Sequence, residues 1–143
     1  MAKTTKKAVT VKPVDASTSE DEFQSVFNSL KKLLQRHAKG NFSARQDEPG
    51  NYTVYYDKPV EMLNRQYPDV MFASAVIKKG YVGFYFFPLY IAPELNEALA
   101  PVLLKCLKGK TCFYIKKDDP ELMKAVSEAL ESGIQFYHTK GWK

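Results

Sequence analysis

Residues 71–90 read MFASAVIKKGYVGFYFFPLY. Two apolar segments, 71–77 and 81–87, are separated only by Lys78-Lys79-Gly80. The run is rich in β-branched and aromatic residues, and Gly80 can supply the positive φ of a tight turn, so a β-hairpin at the centre of a sheet is predicted. In its second strand Val82, Phe84 and Phe86 share one face, and Tyr81, Gly83, Tyr85 and Phe87 the other. Both faces are apolar or aromatic, which predicts an interior strand covered by helices on at least one side. Gly83 has no side chain and leaves a gap between Tyr81 and Tyr85, open to a helix or a ligand.

Outward from the hairpin, the pattern alternates between strand and helix. Ser19 reads as an N-cap with Glu22 reaching back from the third helical position. Phe23, Val26, Phe27, Leu30, Leu33, Leu34 and His37 then recur at spacings of three and four, an amphipathic helix with Gly40 as its C-terminal stop. Residues 42–46 and 51–56 read as strands about a turn at Asp47-Glu48-Pro49-Gly50. Between Pro59 and Pro68, Val60, Met62 and Leu63 suggest one helical turn. Beyond Pro88 two short helices are predicted, with Pro101 opening the second. Residues 111–116 form another strand. Asp119 as N-cap and Pro120 at the first helical position then open a last helix, whose apolar stripe includes Leu122, Val126, Ala129, Leu130, Ile134 and Tyr137. Trp142 is placed to fold back on the body.

The length of 143 residues suits one domain. Residues 1–18 read as a flexible basic arm and 19–143 as the folded domain. The net charge is +5, but the first twelve residues hold four of the 21 basic side chains and no acid, leaving 17 basic against 16 acidic in the rest. No apolar stretch approaches the roughly 20 residues that span a bilayer, and no signal-peptide core is visible. The two cysteines, Cys106 and Cys112, suit a reducing compartment. A cytoplasmic protein without membrane association is expected.

No nucleophile–base pair can be assembled from these spacings, so no enzymatic activity is expected. Cys106 lies on a helical apolar stripe and Cys112 within a strand, and neither has a neighbour that would activate a thiol. Cys106, Cys112, His37 and His138 do not have zinc-site spacing. Carboxylates gather at Glu20-Asp21-Glu22 and at Asp118, Asp119 and Glu121, where helix starts favour negative charge and hard cations find oxygen ligands. Lysines gather at turns, in the pairs Lys78 and Lys79, Lys108 and Lys110, Lys116 and Lys117. Lys78, Lys79 and Lys110 with Tyr81, Tyr85 and Tyr114 make a candidate surface for an anion or single-stranded nucleic acid.

The aromatic strand GYVGFYFFPLY, the Gly-Lys turn into a strand in KGKTCFYI and the Asp-Pro helix start in DDPELMKAV resemble the YdhG-like family of small bacterial domains, over about residues 20–138. The resemblance implies an α+β domain with an antiparallel sheet and helices packed on one face. One branch of that family is thought to act as a frataxin-like iron chaperone, which would make ferrous iron the cargo and assign its carboxylates here to Glu20, Asp21 and Glu22. Two readings result, both of a non-enzymatic binding domain. One is a frataxin-like binder of metal or a partner protein. The other binds an anion or single-stranded nucleic acid through an aromatic and basic sheet surface. An exposed aromatic face would also suit a homodimer or a protein partner.

Overall fold

A computed structural model describes residues 16–143. The first helix, α1, spans Ala16–Gln35. Strands β1 (Phe42–Glu48) and β2 (Asn51–Tyr56) follow, then a small hairpin of β3 (Val60–Met62) and β4 (Arg65–Tyr67). The central hairpin pairs β5 (Val70–Lys78) with β6 (Tyr81–Phe86). Two short helices, α2 (Pro88–Ile91) and α3 (Pro101–Leu104), flank a 3-10 segment at Pro93–Ala98. Strands β7 (Leu107–Lys108) and β8 (Cys112–Ile115) lead to the final helix α4, Pro120–Thr139. The main sheet is antiparallel with order β1-β2-β5-β6-β8-β7. This is an α+β fold.

Both long helices pack on one face of that sheet. In register across it, Val54 pairs with Ala73, Ala73 with Phe86, Phe84 with Phe113 and Val82 with Ile115, and all are buried. From α1, Val26, Leu30 and Leu34 enter this layer, and the amine of Lys31 lies 5.5 Å from the Tyr52 ring centre while reaching Asp47 at 3.1 Å. From α4, Gly133 lies so close that an added Cβ would sit 2.6 Å from the Phe86 ring and 3.1 Å from Phe72. The glycine is what lets the helix approach the aromatic sheet. Tyr137 then packs edge-on against Phe72 and donates its hydroxyl to the Met71 carbonyl at 2.6 Å. Trp142 folds back against Tyr56 and Tyr137.

Several elements differ from their sequence reading. The helix is already under way at Ala16, so Ser19 is not its N-cap, and residues 16–18 belong to α1 rather than to an arm. The rest of that expected arm, 1–15, lies outside the described residues. The helix ends at Gln35, and Gly40 (φ 62°) serves the turn into β1 instead. Residues 59–68 form a β-hairpin, not a helical turn: Leu63 (φ 55°) and Asn64 (φ 65°) occupy its two left-handed positions. The last helix starts as expected, with the Asp119 carboxylate accepting from the Leu122 N–H at 2.9 Å.

The two long helices run in the same direction. Phe23 and Gln24 of α1 line a groove with Ile77–Gly80 at the tip of the central hairpin. Nearby, Glu22 accepts the Asp118 N–H at 2.9 Å, just before α4 begins. At the far end His37 lies 3.8 Å from Glu131, and Asn41 donates to the Lys143 carbonyl at 2.7 Å. The helix layer thus has one end where the acidic segments meet and another where both helices finish.

Candidate binding face

Alternation places every second residue of β2, β5, β6 and β8 on the face opposite the long helices. Two rows cross it in register. One runs Thr53, Ser74, Tyr85, Cys112 and Lys108; the next runs Asn51, Val76, Gly83 and Tyr114. At the hairpin tip Lys78 pairs with Tyr81, and Lys116 follows Ile115, the partner of Val82. The burial pattern of β6 and β8 alternates accordingly: Val82, Phe84, Phe86, Phe113 and Ile115 are buried, while Tyr81, Tyr85, Cys112 and Tyr114 are half-buried.

The tyrosines form a packed cluster. The Tyr81 and Tyr114 rings stack with centres 3.8 Å apart and planes 9° from parallel. The Tyr85 ring folds over Gly83, where an added Cβ would meet it at 2.9 Å. The gap expected at Gly83 is therefore filled by the chain's own tyrosine. Burial pushes the Tyr85 hydroxyl up to about 12, with the adjacent Cys112 adding to the shift. The Tyr81 hydroxyl is raised too, chiefly by a hydrogen bond with that of Tyr114. The Tyr81 and Tyr85 phenols are therefore neutral at physiological pH and present rings and hydroxyls, not charge.

Toward β2 the face becomes small and polar. Thr53 donates to the Asn51 side-chain oxygen at 2.8 Å and so receives the Ser74 hydroxyl at 2.7 Å. Farther along, the Arg45 guanidinium lies 4.8 Å from the Tyr55 ring centre. It is bound there by Asp57 at 2.7 Å and Asp69 at 2.9 Å, and these hydrogen bonds raise its pKa further.

Of the six surface residues chosen from sequence, the fold gathers Lys78, Tyr81, Tyr85 and Tyr114. Lys79 sits in the hairpin turn and lines the groove beside α1. Lys110 belongs to the other end of β8, and its amine points toward the Tyr90 ring of α2 at 5.8 Å. Lys108 is instead brought level with Tyr85 through Cys112, and Lys116 follows Ile115 just past the end of β8. The alternation Cys112, Tyr114, Lys116 was visible in the sequence, but the pairing of β7 with β8 that brings in Lys108 was not.

The carboxylates expected to take iron lie on α1, where Glu20 lines the same groove as Lys78 and Lys79. Glu20, Asp21 and Glu22 are consecutive in α1 and project at about 100° steps around it. Glu22 already accepts the Asp118 N–H, and the Asp118 carboxylate receives Ser25 at 2.5 Å and Ser29 at 2.9 Å. Among the described residues no three His, Cys, Asp or Glu side chains are grouped to hold one metal ion. These donors do not fit a single iron site.

Both thiols are free and pushed upward by burial, so they are protonated at neutral pH and poor nucleophiles. His37 is held against the Phe72 ring, its side chain 10% exposed, and burial lowers its pKa against the pull of Glu131. Among the described residues no helix is long and apolar enough to cross a membrane. No protein-family model, curated protein or solved structure matches the chain.

Proposed function

We propose that this chain is a non-enzymatic binding domain whose helix-free sheet face receives single-stranded nucleic acid. The observation that carries the reading is the parallel Tyr81–Tyr114 stack on that face, with Lys78 level with Tyr81 and Lys108 level with Tyr85. A base has a π-face whatever its identity, so stacking on tyrosine gives sequence-tolerant affinity of about 1–3 kcal/mol per base. Lysines beside the stack supply the phosphate contacts. Three of them, Lys78, Lys108 and Lys116, predict a log–log salt slope of about −2 for a single strand. An antiparallel sheet with helices behind it and aromatics in front is a physical solution to this task, because the helices stiffen the platform without covering it.

Fluorescence anisotropy of a labelled oligothymidylate tests the reading. Affinity should fall with salt at about that slope, and Tyr81→Ala and Tyr114→Ala should each weaken binding roughly tenfold, the lower part of the stacking range. Salt-independent binding, or binding indifferent to both substitutions, would sink it.

A second reading follows from the YdhG-like resemblance, a carboxylate site receiving ferrous iron or a partner protein. The meeting of the two acidic segments through Glu22 and Asp118 speaks for it. The divergence of Glu20, Asp21 and Glu22 speaks against one shared ion. Anaerobic NMR titration with ferrous iron separates the two readings. Shifts confined to the acidic end at micromolar metal would favour this one, and none up to millimolar metal would dismiss it.

A further inference from the structure

The tyrosine cluster of β6 and β8 lies between lysines supplied by the flanking strands β5 and β7 and by the residue after β8. At the hairpin tip stand Lys78, level with Tyr81, and Lys116, one residue past the Ile115–Val82 pair. At the opposite end stands Lys108, paired with Cys112, which in turn pairs with Tyr85. Tyr81 and Tyr85 are four residues apart on β6, about 13 Å along the strand. That span suits about two or three stacked bases, the number a sheet platform of this kind accepts.

The other direction across the face offers no such path. Thr53 and Ser74 are 7% and 4% exposed, and their hydroxyls are spent on each other and on Asn51. The next ring, Tyr55, is covered by an Arg45 already bound to Asp57 and Asp69. Glu48, opposite Asn51, adds a negative charge at that side. Of the acids near the lysine end, the Asp118 carboxylate is held by Ser25 and Ser29 of α1, while Glu20 lines the groove that Lys78 and Lys79 share with α1.

Resting on the function proposed above, we infer that the bound strand runs obliquely over β6 and β8, from Lys78 on β5 to Lys108 on β7, and not toward β2. It occupies two to three nucleotides, with one phosphate held by Lys78 and Lys116 and another by Lys108. The site is a short bracket with a positive clamp at each end. Strands β1 and β2 support it and do not touch the ligand.

Unlabelled oligothymidylates of one to ten nucleotides, competing against a labelled ten-nucleotide probe, measure the footprint. The affinity should rise steeply up to three nucleotides and afterwards only by the number of equivalent positions. Lys108→Ala and Lys78→Ala, at opposite ends, should each lower the salt slope by about one and weaken the trinucleotide several-fold. Arg45→Ala should leave trinucleotide binding unchanged. If the affinity keeps rising steeply beyond about six nucleotides, or Lys108→Ala has no effect, the short bracket is wrong although the face still binds nucleic acid. Failure of every oligonucleotide to bind at low salt would overturn the bracket together with the function it rests on.

Discussion

His37 shows how burial fixes chemistry at one residue. Its ring lies against Phe72, between the end of α1 and Glu131 of α4, in a pocket that also includes Lys39, His138 and Lys143. Desolvation disfavours the imidazolium, Glu131 opposes that effect, and Lys39 and Arg36 add to it, leaving the pKa below 6.5. The unfolded chain therefore binds a proton that the native chain resists. The resulting stability is complete above pH 6.5 and is lost as the pH falls from there toward the folded value. Urea unfolding at pH 7.5 and pH 5.5 should show wild type losing more stability on acidification than His37→Gln, which has no proton to take up. Equal losses would show that His37 titrates normally. In the sequence His37 read as the last position of the amphipathic stripe of the first helix, because nothing local reveals that Phe72 and Glu131, far along the chain, close over it.

The elements most legible in the sequence were those whose local chemistry and tertiary role agree. The hairpin about Gly80 and the Asp119-Pro120 helix start are stated outright by their residues, and both formed as expected. The start of α1 was misplaced because a run of acids resembles a helix cap wherever it falls, even inside a helix. The small hairpin of β3 and β4 was missed for a different reason. Its turn carries Leu63 and Asn64 where glycine is usual, so the ordinary punctuation is absent. Leu63 is held at φ 55° and is 60% exposed, paying a conformational strain with no burial in return. Leu63→Gly should therefore stabilise the fold by about 1 kcal/mol, read as a higher urea midpoint with an unchanged slope. A lower midpoint would mean that the leucine makes a contact worth more than its strain.

At the scale of the molecule, period-two patterning announced a sheet covered by helices on at least one side but left open which aromatic side they would take. Volume decides it. The phenylalanines at Phe84, Phe86 and Phe113 have no polar atom and are fully buried under the helices, whereas the tyrosines on alternate positions keep a hydroxyl at the surface. The candidate site was correspondingly half legible. Tyr81, Tyr85 and Tyr114 follow from alternation alone, but their lysine partners depend on strand order and register, which join β8 to β6 and β7 to β8. Charge also behaves as a property of the whole. Lysines border the tyrosine cluster while Glu20, Asp21 and Glu22 lie within α1 and Asp118 is held by Ser25 and Ser29, so a nearly neutral domain still presents a locally positive face.

The most direct test of that face is an amide-detected NMR titration of the labelled protein with oligothymidylate at low salt. Shifts that follow alternate residues of β6 and β8, with Lys78, Lys108 and Lys116, while α1 and α4 stay unmoved, are the predicted result. Perturbations centred on the helix layer or on the acidic helix starts, with the tyrosine strands unchanged, would contradict the account.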